Sequence, residues 1–423
     1  ENSTVQNVSN AGQVEVPGNF VGGIVGEMIG GTVQNASNAG QVKGWMNIGG
    51  IVGAMSNGTI QNASNVGAVE GSFVGGIVGA VTVGTVRNVW NAGQVTGGQQ
   101  VGGIAGKMSA GKVIQAVWKT GTAAHAVDPD NNTGFEEDCH EHTEEEMKQA
   151  ATYTSWKDAN GNAVVATEGG KGTPWRIYDG KTMPLLKAFL RTKHLANREK
   201  VYDGTAPTIA GGDHISLDAE KNVGTYHAYS EQYDIIGGKY KITPKELTLD
   251  FKSGTRFDKT YDGSDTVTQW LTKWRHYRLT GFVGSEDEDN IELAGGVTGK
   301  YADKNAGKDK EVTFQNLALT GTGAGNYTVK EARGVGTIYP KELDLTLTSS
   351  ARFDKTYDGN ANVTQSLAKG THYTLDGFVG SEGTGITVTG TGTYTDKNAA
   401  ADKTVTFDGL TLTGTGAGNY VLN

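Results

Sequence analysis

The sequence predicts an all-β chain: a parallel β-solenoid with a mixed α/β cap, followed by tandem small β-rich modules forming an elongated rod. Three observations lead there. The phrase Val21-Gly22-Gly23-Ile24-Val25-Gly26 returns at 48–53, 74–79 and 101–106, in steps of 27, 26 and 27 residues. A second phrase, Phe257-Asp258-Lys259-Thr260-Tyr261-Asp262-Gly263, returns 96 residues later at 353–359. Gly, Thr and Val are abundant, and the i, i+3, i+4, i+7 apolar spacing of a helix is almost absent. Near-identity at a fixed period of about 20 to 50 residues marks a repeat architecture.

The solenoid is assigned to residues 1–122. Each unit reads Thr-Val-Gln-Asn-Ala-Ser-Asn-Ala-Gly-Gln-Val, a variable turn, then Gly-Gly-Ile-Val-Gly. One unit cannot close a core, but stacked coils can, each adding about 4.8 Å by strand pairing. Stacking puts Val5, Val33, Ile60 and Val86 in one inward ladder, and Val14, Val42, Val69 and Val95 in another. Asn10, Asn38, Asn65 and Asn91 stack at a turn, where amides can bond one another and the turn backbone. The paired glycines let the chain bend tightly or pass close to its neighbour.

These repeats resemble the GLUG motif of large secreted bacterial surface proteins, including filamentous-haemagglutinin-like adhesins and some IgA-type metallopeptidases. The variable turns carry Phe20, Trp45 with Met46, Phe73, and then Gln99 with Gln100. Three of the four turns thus present an aromatic at nearly the same point. That pattern reads either as a ligand-binding row along one edge or as a ladder shielding the solenoid wall.

Residues 123–190 read as a cap with a short helix. An open solenoid end exposes a strand edge, so an atypical closing unit is expected. Thr143 with Glu146 forms a capping-box pattern, and Met147, Ala150 and Ala151 give one apolar side. Trp156, Trp175-Arg176-Ile177-Tyr178-Asp179-Gly180 and Met183-Pro184-Leu185-Leu186 follow, a phrase that resembles the segment closing GLUG arrays.

Two stretches of the cap offer metal donors. Asp128-Pro129-Asp130-Asn131-Asn132 looks like the start of a calcium loop, with Asp128, Asp130 and Asn132 as candidate ligands. Thr133 and Cys139 stand where an EF-hand needs Gly and Glu, which leaves an irregular calcium site or a solvated loop. Cys139-His140-Glu141-His142 could ligate a transition metal, but Glu144 stands where the zinc-protease helix needs its second His. The competing reading is a solvated acidic loop. No cofactor other than calcium is expected.

The modules are assigned to 191–245, 246–341 and 342–423, the first short and the last truncated. Gly281 to Glu286 and Tyr301 to Ala306 return at 377–382 and 394–399, and Gly-Thr-Gly-Ala-Gly-Asn-Tyr occurs at 321–327 and 414–420. The short relative runs from Val201-Tyr202-Asp203-Gly204 to Tyr240-Lys241-Ile242-Thr243-Pro244. These modules resemble the YDG and MBG families of extracellular bacterial adhesin repeats. Tyr-Asp-Gly reads as a turn, with Gly supplying a positive φ and Asp bonding local backbone. The Pro-Lys-Glu-Leu junctions at 244–247 and 340–343 are too short for free hinges. Lys259 with Asn326, and Lys355 with Asn419, recur beside Asp258 and Asp354, which admits self-formed Lys–Asn isopeptide bonds. The alternative is a turn-capping Asn and a solvated Lys.

Composition sets the remaining bounds. At 423 residues the chain exceeds one ordinary core, and 64 Gly with only 7 Pro excludes collagen. Net charge is −9 without a Lys/Arg cluster, so no nucleic-acid partner is expected. No apolar run approaches a membrane span, so no membrane insertion is expected of this stretch. Cys139 is the single cysteine, which rules out an intrachain disulfide. The chain opens inside a repeat and stops inside another, so its natural ends are expected to lie beyond it and a missing leader says nothing about export.

No nucleophilic triad, phosphate loop or paired-carboxylate site is discernible, and no enzyme activity is expected. The resemblance implies a non-catalytic, monomeric rod from a secreted or surface-anchored bacterial adhesin. Its expected partner is a host-surface glycan or an extracellular-matrix or cell-surface protein. Two alternatives stay open: a stalk carrying a peptidase or toxin domain elsewhere, and a glycan-binding lectin led by Phe20, Trp45 and Phe73.

Overall fold

The computed structural model describes residues 2–130, 132–209, 212–284 and 286–423. Asn131 and Ser285, both quoted in motifs above, lie outside the described residues. The chain divides into two compact units. The first holds Glu1–Glu199, Pro207–Glu220 and Thr225–Lys241, and the second holds Lys200–Ala206, Lys221–Gly224 and Ile242–Asn423.

The first unit begins with a parallel β-solenoid of about five turns. One sheet stacks Thr4–Asn10, Thr32–Asn38, Val52–Asn65, Val78–Asn91, Ala105–Lys119 and Phe135–His142 in that order, and all its pairings are parallel. A second sheet stacks Val14–Glu15, Val42–Gly49, Val69–Gly75 and Val95–Gly97. Register follows the repeat, with Val5 opposite Val33, Ile60, Val86 and then Val113. Val14, Val42, Val69 and Val95 align in the other sheet.

The two ladders fill separate cores. Val33, Ile60 and Val86 pack with Met55, Ile77 and Met108 in the larger one, and Val42, Val69 and Val95 pack with Ile48 and Val74 in the smaller. Each fully buried Val or Ile contributes about 1.5–3 kcal/mol. Between the cores the backbone closes on itself at the Gly-Gly pair. A Cβ on Gly49 would lie 2.0 Å from the Val52 carbonyl oxygen, and one on Gly50 would lie 2.2 Å from the Gly76 oxygen and 2.6 Å from Asn65 Cγ. No side chain fits there.

Two asparagine ladders run along the coils. In the expected one, Nδ2 of Asn10, Asn38 and Asn65 donates to Oδ1 of the next coil's Asn at 2.8, 2.7 and 2.8 Å. The same nitrogens donate to Gly12, Gly40 and Gly67 carbonyls. The ladder ends where Trp118 replaces Asn opposite Asn91. The second runs through Asn7, Asn35 and Asn62, whose amides bond from coil to coil, and reaches Asn88, which donates to the Lys157 carbonyl instead. Its members sit at φ between 52° and 55°, a left-handed conformation that Asn tolerates better than most side chains.

The solenoid sheet continues beyond residue 122, and the stretch expected as a solvated acidic loop is its last strand, Phe135–His142. Pairing with Ala105–Lys119 orders it despite its polarity. Cys139 stands opposite Ala116 and packs against the larger core, while His140 points to the opposite face. Burial pushes the Cys139 thiol up to about 12, with the Glu136 charge adding to the effect. Such a thiol is a poor metal ligand or nucleophile near neutrality.

The cap helix Glu144–Met147 carries the complete capping box, with Thr143 accepting from the Glu146 N–H and Glu146 accepting from the Thr143 N–H. Met147, Tyr153, Trp156, Trp175 and Leu186 bury against Trp90 and Val117 of the solenoid. Trp90 occupies the rung of Ser37 and Ser64, and its Nε1 donates to the Pro184 carbonyl at 3.1 Å. The cap continues into the following strands of the same unit. Asp234, buried, lies 3.1 Å from Lys187 Nζ and 3.5 Å from Arg176 Nε.

The second unit holds two similar β-modules. In the first, Lys245–Phe251 lies between Tyr277–Thr280 and Tyr327–Val329, beside a five-stranded sheet whose centre is Gly307–Phe314. Phe251, Phe257 and Phe314 pack with centroids 4.6–5.3 Å apart. In the second, Lys341–Leu347 takes the same place between Tyr373–Asp376 and Tyr420–Leu422. Ala332–Tyr339 ends and Lys341–Leu347 begins with only Pro340 between them, so the junction has no free hinge.

Candidate functional site

The solenoid turns place the candidate binding residues differently from the expected single row. Val21, Ile48, Val74 and Val101 align across the coils, so the position before them reads Phe20, Asn47, Phe73, Gln100. All four have left-handed φ, at 59°, 55°, 52° and 32°. Trp45 is not on this rung. It lies two residues earlier, where its N–H donates to the Gly18 carbonyl at 2.9 Å, and its ring is 66% exposed. The apparent alignment came from turns of unequal length, which shift Trp45 out of register with Phe20 and Phe73.

Phe20, Met46 and Phe73 line a shallow trough of about 310 Å³. Its floor is one ladder, Glu27, Ala54, Ala80 and Lys107, so small alanines separate a carboxylate from an ammonium. Lys107 Nζ lies 5.4 Å from the Phe73 ring centroid. Phe20 and Phe73 are two coils apart, about 9.6 Å. Gln99 and Gln100 accept from the Phe73 and Val74 N–H groups at 3.2 and 3.0 Å, and the Gln100 amide donates to the Asp130 carbonyl. These two acceptors are main-chain carbonyls serving the preceding coil, while the Gln100 side chain serves the backbone of the following turn.

The candidate calcium residues are occupied in the same way. Asp128 Oδ2 accepts from Val101 N–H and Oδ1 from Asp130 N–H, both at 2.9 Å. Asn132 bonds Glu136 through its amide nitrogen and Gly134 N–H through its oxygen. Among the described residues, no group of three or more His, Cys, Asp or Glu is arranged to hold a metal.

The lysine–asparagine pairs are not brought together. Lys259 Nζ donates to Asp262 Oδ1, Ser264 O and Thr266 O at 2.7–2.9 Å, clasping its own Tyr-Asp-Gly loop. Lys355 repeats this with Asp358 Oδ1, Asn360 O and Asn362 O at 2.8 Å each. In each loop Gly263 or Gly359 takes a positive φ, and Asp262 or Asp358 accepts the N–H two residues on. A lysine with three donors engaged inside its loop does not reach a distant amide.

Asn326 and Asn419 instead belong to a joint that recurs within the second unit. Asn419 Oδ1 accepts from Ala306 N–H at 2.8 Å, and its Nδ2 donates to Asn305 Oδ1 at 3.3 Å. Tyr420 meets Tyr261 edge-on with centroids 5.5 Å apart, and Val379 covers Gly263. Glu382 accepts from the hydroxyls of Tyr261 and Tyr420 and lies 3.3 Å from Lys304 Nζ. Asn326 makes the equivalent bonds with Val223 N–H and Asn222 at 2.8 and 3.0 Å, and Tyr327 meets Tyr202 at 5.3 Å. The Tyr-Asp-Gly signature thus receives the Asn-Tyr end of the next module.

A solenoid with tandem β-modules, joined through signature residues, defines a β-repeat protein. Residues 243–334 and 339–423 each match the YDG domain. The two matches lie in tandem and together cover less than half of the chain. No curated protein and no solved structure matches it.

Proposed function

We propose that this chain is a non-catalytic segment of a large secreted or surface-anchored bacterial adhesin. Its solenoid trough engages a glycan on a host surface or matrix, and the jointed YDG domains serve as a stalk. One observation carries the binding role. Phe20 and Phe73 hold left-handed backbones that cost a bulky side chain of order 1 kcal/mol or more, where coil two uses Asn47 without that strain. Aromatic side chains kept at a strained, half-exposed position favour a task for the rings over shielding of the wall. Rings spaced along a trough with polar ends suit stacking on saccharide faces, with Glu27 and Lys107 as hydrogen-bonding ends and Trp45 as a further exposed ring. The YDG domains and the resemblance of the repeats to GLUG arrays are consistent with extracellular display.

The test is a glycan and matrix-protein array probed with the whole chain and with its Phe73→Ala variant. Saccharide signals that disappear in the variant are expected. Signals that survive it, or binding confined to proteins, would sink the trough as the site.

A further inference from the structure

The joint has a third copy that none of the described residues covers. Tyr202 and Tyr261 are 5% and 2% exposed beneath the rings of Tyr327 and Tyr420, whereas Tyr357 is 61% exposed. Val283 and Val379 press on Gly204 and Gly263, but a Cβ on Gly359 would meet nothing within 4 Å. Ala399 is exposed where its counterpart Ala306 is half-buried, while Lys397 and Asn398 are exposed as Lys304 and Asn305 are. The third loop is nonetheless held ready. Lys355 clasps it as Lys259 clasps the second, with Asp358 at 2.8 Å in place of Asp262 at 2.7 Å. The open cavity of about 410 Å³ nearby, lined by Phe353, Asp354, Lys355, Ala400 and Lys403, is a separate feature: it corresponds to the place that Ala332–Tyr339 fills in the first module.

We propose that this face is a docking socket for the Asn-Tyr end of a further YDG-type module joined in line. The two filled copies specify the occupant. It brings an amide oxygen to the Ala399 N–H, an aromatic ring edge-on to Tyr357, a valine onto Gly359 and, as Glu382 does at the second joint, a carboxylate between the Tyr357 hydroxyl and Lys397. Both filled sockets take the module that follows them in sequence, which selects an in-line occupant over a second molecule. The socket is independent of whether the solenoid binds a glycan.

The test extends the chain with a copy of residues 331–423 joined after Asn423, which preserves the spacing between Tyr327 and Tyr420. Hydrogen exchange is followed at Ala399, with Ala306 of the filled joint as reference. Exchange at Ala399 is expected to slow at least tenfold in the extended chain, independently of protein concentration, and to recover with Tyr357→Ala. Three results would overturn the proposal. These are an appended copy that folds while Ala399 exchanges as before, a copy that fails to fold on a socket meant to support it, and protection that grows with concentration.

Discussion

Replacing Asn65 by alanine probes the asparagine ladder at its most buried rung. The Asn65 amide donates to Asn91 Oδ1 and to the Gly67 carbonyl, both at 2.8 Å, and accepts from Asn38 Nδ2 at 2.7 Å. Its side chain is 0% exposed, so water cannot replace what alanine removes. An ordinary hydrogen bond is worth about 1 kcal/mol net, while a buried partner left unsatisfied costs about 1–3 kcal/mol. Asn38 and Asn91 keep their bonds to Gly40 and Gly93, which softens the loss at those two. The expected destabilisation is about 3–5 kcal/mol. Asn10 makes the same kinds of bond at the exposed first coil, where solvent can compensate, so Asn10→Ala should cost about 1 kcal/mol or less. Urea unfolding of the two variants, followed by far-ultraviolet circular dichroism, gives the comparison. Equal losses, or a loss under about 1 kcal/mol for Asn65→Ala, would refute the ladder as a stabilising element.

Further outcomes follow from the same contacts. Gly50→Ala places a methyl against the Gly76 carbonyl and Asn65, both packed on all sides, and should destabilise the solenoid more than Asn65→Ala in the same urea assay. Trp90→Ser restores the residue of the earlier coils but removes the contact with Pro184 and the cap core, with an expected loss of about 3–5 kcal/mol and faster proteolysis within the cap. The joint should weaken at both ends of the pH scale. Bonds from Tyr420 and then Tyr261 hold the Glu382 carboxyl below its ordinary 4.5, so its contribution is present above that value and lost as pH falls through the lower folded value. Burial, then Glu382, raises Tyr261 from 10.0 to about 12, so its contribution is full below pH 10 and lost as pH rises through about 12. Protection at Ala306, taken as exchange relative to the intrinsic rate at each pH, should therefore fall in both directions, and protection that stays level would count against the joint.

The solenoid was legible because its coils repeat themselves. Once Val5, Val33 and Ile60 occupy equivalent places, strand pairing fixes the register of everything between them. Less was visible where a residue's role depends on its neighbours. The last strand, Phe135–His142, has no apolar pattern of its own and is ordered by the coil beneath it. The signal for the cap's docking face was present, as Trp90 standing where Ser37 and Ser64 stand. Trp45 falls off the rung of Phe20 and Phe73 because the turns differ in length, which only the pairing of the flanking strands reveals. Each lysine stands three residues before an aspartate, Lys259 before Asp262 and Lys355 before Asp358, and that spacing closes a local loop in place of a reach to a distant asparagine. The joint was hidden for a different reason. Tyr261 and Asn419 belong to different repeats, and a comparison of repeats reveals their likeness without revealing that one module's start receives the next one's end.

Under the proposed function, Phe20 and Phe73 are kept for binding and not for folding. The most direct measurement is the double variant Phe20→Asn with Phe73→Asn, read for saccharide affinity and for urea stability together. Asparagine accepts the left-handed backbone, so stability should stay level or rise by up to about 1 kcal/mol per site while affinity falls at least tenfold. Unchanged affinity with a loss of stability would contradict the claim and return both rings to the solenoid wall.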